Sequence, residues 1–149
     1  MTKGATLRWR LTISTVLVAG LVPAVALGSP SLTKRYKADL TASAVVPKPG
    51  PNGGKGSARF ALNGRRLCWT ITVIGIDAPV AARIHIGGPF STGPVIATLG
   101  RHYKRVGCTT ISYDAVAGMG GCRCGNVYVD VQTRRFPKGA IRGALEISR

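Results

Sequence analysis

Asn126-Val-Tyr-Val-Asp-Val-Gln-Thr-Arg-Arg-Phe-Pro-Lys-Gly-Ala-Ile-Arg-Gly-Ala-Leu145 decides how the rest of the chain is read. Val127, Val129 and Val131 alternate with Tyr128, Asp130 and Gln132, the period-two pattern of a strand with one buried face. Phe136-Pro-Lys-Gly139 follows as a turn, because proline cannot donate to a ladder and glycine accepts backbone angles other residues avoid. Ile141, Gly143, Leu145 and Ile147 then continue an apolar face on a second strand.

The same alternation recurs upstream. In Leu67-Cys-Trp-Thr-Ile-Thr-Val73, residues Leu67, Trp69, Ile71 and Val73 share one face, and Cys68, Thr70 and Thr72 the other. Ala58, Phe60 and Leu62 precede it, with Asn63-Gly64 between as the expected two-residue hairpin turn. Tyr36, Ala38 and Leu40 alternate with Lys37, Asp39 and Thr41. Val80, Ala82, Ile84 and Ile86 alternate with Ala81, Arg83 and His85, before a Gly87–Pro94 loop and a short strand from Val95 to Leu99. Pro47 to Gly56 reads as a loop, and Gly100 to Gly107 as basic and irregular. Val116 to Gly121 is too rich in glycine for a helix on propensity alone. Seven or eight short strands with turn residues between them define an all-β antiparallel fold, a Greek-key sandwich or barrel. Each strand buries one face, so the polar faces are where a partner would bind.

The first residues read differently. Lys3, Arg8 and Arg10 precede the uncharged stretch Leu11–Leu27, and small residues follow at Ala24, Ala26 and Gly28. Residues 1–28 are expected to be a secretory signal peptide, leaving 29–149 as one domain in a secreted or extracytoplasmic compartment. The competing reading, an uncleaved anchor, suffers from Gly20 and Pro23 within a stretch short for a span. The chain has 21 Lys and Arg against 5 Asp and Glu, and loss of Lys3, Arg8 and Arg10 takes the net charge from +16 to +13. Such a balance draws polyanions by long-range attraction. Its charges are spread, with doublets only at Arg65-Arg66, Lys104-Arg105 and Arg134-Arg135, so there is no basic tail and no specific nucleic-acid motif. Arg83, Arg134, Arg135 and Arg142 are candidates for a cationic strip with Tyr128 as its aromatic member, against a merely solvated surface.

Four cysteines in an exported chain suggest disulfides, with three possible pairings. Cys122-Arg-Cys124 is awkward, because a bond between residues two apart is strained. It is open to a labile disulfide, two free thiols, or exchange with Cys68 and Cys108.

In their order, the three blocks 67–73, 81–95 and 126–145 resemble the CHRD domain, the module repeated in chordin and found singly in secreted bacterial proteins. The resemblance covers Lys37 to Leu145 and implies an immunoglobulin- or superoxide-dismutase-like β-sandwich. It implies the pairing Cys68–Cys108, whose loop of about 40 residues is worth roughly 4 kcal/mol in the chain-entropy view. Asp114 is, by the same analogy, a possible N-cap for one or two helical turns. The family often carries His-x-His in the third strand and a further His near the C-terminus, which would set imidazoles on one strand face as metal ligands. Here those positions hold Arg83 and Gln132, and only His85 and His102 are present. No metal site and no cofactor is therefore carried across.

Enzyme signatures are missing. Asp39, Asp77, Asp114, Asp130 and Glu146 form no pair suited to acid–base work, and no nucleophile elbow, Walker loop or His-Glu-x-x-His is present. The expected function is a non-catalytic binding or structural module at the cell exterior, its partners anionic cell-envelope polymers or other extracellular proteins. The alternatives are a metal-handling or superoxide-dismutase-like protein, and a thiol-redox protein using Cys122 and Cys124.

Overall fold

The computed structural model describes residues 32–120 and 126–148. The expected signal segment 1–28 and Cys122-Arg-Cys124 lie outside the described residues. The elements are β1 (Lys34–Thr41), β2 (Lys55–Asn63), β3 (Arg66–Ile74), β4 (Pro79–Ile86), β5 (Val95–Thr98), β6 (Val106–Thr110), α1 (Tyr113–Gly120), β7 (Val127–Thr133), β8 (Ile141–Ala144) and β9 (Glu146–Ile147). All pairings are antiparallel, so the chain is all-β as expected. One hydrogen-bonded path runs β5-β4-β7-β8-β1-β2-β3-β6, with β9 added to β1, and curls into a half-barrel. The neighbours β3/β6, β4/β7 and β8/β1 are distant in sequence, the long returns that a Greek-key arrangement requires.

Alternation places the core inside the curl. Tyr36, Leu40, Phe60, Leu67, Trp69, Ile71, Ile84, Val129, Ile141 and Leu145 are buried together there. Each contributes about 1.5–3 kcal/mol of transfer free energy when fully removed from water. The β2–β3 turn is shifted by one residue from the sequence expectation. Asn63 still pairs with Arg66, so the two turn residues are Gly64 and Arg65. Gly64 alone takes positive φ (56°), which matches a turn whose first central residue must be glycine.

The stretch read as irregular ends in strand β6. Its Gly107 stands against the Trp69 ring, where a Cβ would come within 2.6 Å of the indole. Trp69 Nε1 donates to the Lys104 carbonyl at 2.9 Å, so this segment is held by a core residue its own sequence does not contain. In α1, the cap is Ser112 and not Asp114. The Ser112 hydroxyl accepts from Ala115 N at 3.1 Å, which leaves Asp114 in the first turn. Ala115 and Met119 anchor the helix in the core, which outweighs its poor propensity.

The Gly139-Ala-Ile-Arg-Gly143 run has a backbone reason at both ends. Gly139 adopts φ of 124° where the β7–β8 turn closes. A Cβ on Gly143 would collide with the Asp39 carbonyl, so its absence lets β8 lie close against β1.

Candidate functional site

Strand β7 is buried at all seven positions, on both faces. Its outward side chains were expected to meet solvent; instead Tyr128, Asp130 and Gln132 are all buried, and the Gly87–Pro94 loop bonds to Tyr128. The register aligns Arg83, Asp130 and Arg142 across β4, β7 and β8, and His85, Tyr128 and Ala144 in the next row. Period-two geometry puts all six on the outer face. His85, Asp130, Gln132 and Arg142 are each more than nine-tenths buried there.

The loop is tied down by this cluster. His85 Nδ1 contacts the Gly93 carbonyl at 2.9 Å, Gly93 N donates to the Tyr128 hydroxyl at 3.1 Å, and Arg142 Nη2 donates to the Gly88 carbonyl at 2.6 Å. The His85 and Tyr128 rings stack with centroids 4.7 Å apart, and Arg142 Cζ lies 3.4 Å from the Tyr128 centroid. Asp130 Oδ1 accepts from Gln132 at 3.3 Å, and Asp130 Oδ2 is 3.1 Å from His85 Nε2.

These contacts favour the protonated form of His85. A carbonyl only accepts, so Nδ1 must carry a proton. A neutral ring would then point a lone pair at the Asp130 carboxylate. A second proton on Nε2 turns that repulsion into an ion pair, although the N–H does not point straight at the oxygen. Burial alone lowers the His85 pKa, and the Arg83 charge does too. The Asp130 contact, the Gly93 carbonyl and the Asp130 charge outweigh both and raise it above the ordinary 6.5. The same burial pushes the Arg142 pKa down, against the opposing influence of Tyr128 and Asp130. His85 thus has Nδ1 bonded to the loop and Nε2 within ion-pair distance of Asp130, with Arg83 and Arg142 in the neighbouring row. Among the described residues, no three His, Cys, Asp or Glu side chains gather as a metal would need.

The four arginines proposed as one strip are not placed alike. Arg83 and Arg142 do flank Asp130, on the outward face as read, but Arg142 is only 4% exposed and faces the loop. Arg134 and Arg135 are exposed at the β7–β8 turn. There Arg135 borders an apolar groove with Phe136, Pro137 and Lys138. The missed signal was the loop: Gly87-Gly-Pro-Phe-Ser-Thr-Gly-Pro94 reads as a connection, not as a cover.

The other half of the outer surface is open. Cys68 and Cys108 are direct neighbours across β3 and β6 and form a disulfide. Around it, β1 presents Arg35 and Lys37, β2 presents Lys55 and Arg59, and β3 presents Arg66, all exposed. Arg35 and Arg59 border a shallow depression of ≈ 270 Å³ whose base includes Ala61, Thr70 and the disulfide. Lys37 stands directly across from Arg59. Lys37 has a carboxylate neighbour, Glu146, at 3.6 Å, and Arg59 has no ion-pair partner among the described residues. Sequence reasoning passed over these cations, although they occupy the polar phase of the strands it identified.

The CHRD domain family matches residues 36–145, and the chain belongs to that family. Comparison with curated proteins and with solved structures found no match.

Proposed function

We propose that the protein is an exported, non-catalytic binding module of the cell exterior, which meets anionic cell-envelope polymers through the open outer face of β1, β2 and β3. The observation that carries this reading is the cross-strand placement of Lys37 opposite Arg59, with Arg35 in the next outward row. Like charges directly opposite in a sheet repel; Glu146 lies beside Lys37 but not Arg59, so Arg59 is the cation that a bound polyanion would relieve most. The family fold is consistent with a binding module. The apolar Leu11–Leu27 stretch behind a basic start supports export, as does the Cys68–Cys108 disulfide. Arg134 and Arg135 add exposed charge at the β7–β8 turn.

Heparin serves as the test polymer. If four to six anionic groups are engaged, affinity should fall about 10²–10³-fold between about 50 and 200 mM salt, because binding releases counterions. The double change Arg35→Ala, Arg59→Ala should lower the salt slope by about two. Retention that ignores salt, or a double variant that binds like the parent, would refute the assignment to this face.

A further inference from the structure

A second cleft, of ≈ 280 Å³, lies beside the covered half of the sheet, with Arg142, Tyr128, Pro89, Ala44, Asp39 and Glu146 on its walls. Its charges are mismatched in a specific way. Arg142 is buried, yet no carboxylate lies within ion-pair distance of it among the described residues. Its register partner Asp130 is engaged by His85 and Gln132 instead. The Gly88 carbonyl and the Tyr128 ring hold the guanidinium in place but bring only partial negative charge. Of five guanidinium N–H groups, the Gly88 bond occupies one. Buried cations are ordinarily paired, since the desolvation cost otherwise goes uncompensated.

The opposite mismatch stands on the same walls. Asp39 is exposed and forms no ion pair among the described residues, whereas Glu146 is partnered by Lys37. Arg142 and Asp39 border one cleft without reaching each other. We propose that this cleft binds a small zwitterion of the amino-acid class, its carboxylate on Arg142 and its ammonium on Asp39. A simple anion would satisfy Arg142 but meet the carboxylates of Asp39 and Glu146. A simple cation would satisfy Asp39 and be repelled by Arg142. A ligand carrying both charges on a short aliphatic frame matches both walls, and Ala44, Pro89 and Ala144 offer that frame an apolar lining. The volume lies just below the range typical of drug-sized ligands, which suits a compound of a few heavy atoms. Arg142 and Asp39 are not among the cations of the open face, so this site and the polyanion surface stand or fall separately.

The test is an NMR titration of the folded, ¹⁵N-labelled protein at constant ionic strength, following the Arg142 side-chain N–H signal. The probes are β-alanine, acetate and methylammonium. β-Alanine should bind saturably in the millimolar range, and acetate and methylammonium at least about tenfold more weakly. Asp39→Asn should bring β-alanine down to the level of acetate, and Ala144→Phe should fill the cleft and abolish the shift. Both positions are exposed, so these variants probe the cleft without replacing the buried Arg142. Three results would each overturn the proposal: no saturable shift of Arg142 with β-alanine, acetate binding as tightly as β-alanine, or Asp39→Asn leaving β-alanine affinity unchanged.

Discussion

The two halves of the outer sheet surface are built from the same strand alternation and end up in opposite environments. On β4, β7 and β8, the outward residues His85 and Arg142 bond to the Gly87–Pro94 loop, His85 pairs with Asp130, and all three are buried. On β1, β2 and β3, the outward residues Arg35, Lys37, Arg59 and Arg66 face water. Charged side chains therefore serve two unrelated purposes in one sheet. Under the loop they need compensation, and the cluster is a structural device that fixes the loop. In the open they need none, and they project a field that a partner can meet.

The contrast can be broken most forcefully at Asp130. Asp130→Ala removes the carboxylate that faces His85 and stands between Arg83 and Arg142, leaves the buried Arg142 guanidinium without it, and should cost about 3–5 kcal/mol in urea unfolding. A loss below about 1 kcal/mol would mean that the covered cluster behaves like surface. On the open half, the largest stability effect should come from the covalent link. Cys68→Ala, or reduction, should cost about 2–5 kcal/mol, because the bond closes a chain separation of 40 residues. Mass mapping without reduction should find the Cys68–Cys108 peptide pair in the same experiment.

A smaller effect sharpens the comparison through pH. His85 has a raised folded pKa, so its stabilising contribution is complete below the unfolded value of 6.5. It is lost as pH rises from there through the higher folded value, with a slope of at most about 1.4 kcal/mol per pH unit. Unfolding measured across neutral and mildly alkaline pH should show this decline, and His85→Gln should flatten it. A wild-type curve without this decline, matching His85→Gln over that interval, would show that the folded pKa of the ring is not raised. Least affected of all should be the stability of the Arg35→Ala, Arg59→Ala variant, within about 0.5 kcal/mol of the parent. Its heparin salt slope should nonetheless fall, which separates binding from folding on the open half.

The difference between the halves also marks what was legible in the chain. Val127, Val129 and Val131 read as core from their spacing, and they are core. Arg142 read as outward, and it is outward, but spacing cannot say whether anything lies above it. Two local features were misread for a similar reason. The β2–β3 turn uses Gly64-Arg65 because the pairing of Asn63 with Arg66 is set by core registration of Phe60 with Trp69, not by which dipeptide best tolerates positive φ. Strand β6 was missed because Gly107 is a poor strand former by itself. It is required there by the Trp69 ring, contributed from 38 residues upstream (Trp69 to Gly107).

Sequence alone determined the all-β class, the phase of the core-forming strands and the family, because each depends on short-range periodicity and on motifs carried in contiguous blocks. Tertiary structure decided which polar faces are covered, which charges are paired and where two unmatched charges face one cleft. Those outcomes depend on loops and strands far apart in the chain meeting over the sheet. Burial, which sets the strength of every electrostatic interaction, is a property of that assembly and not of any residue within it.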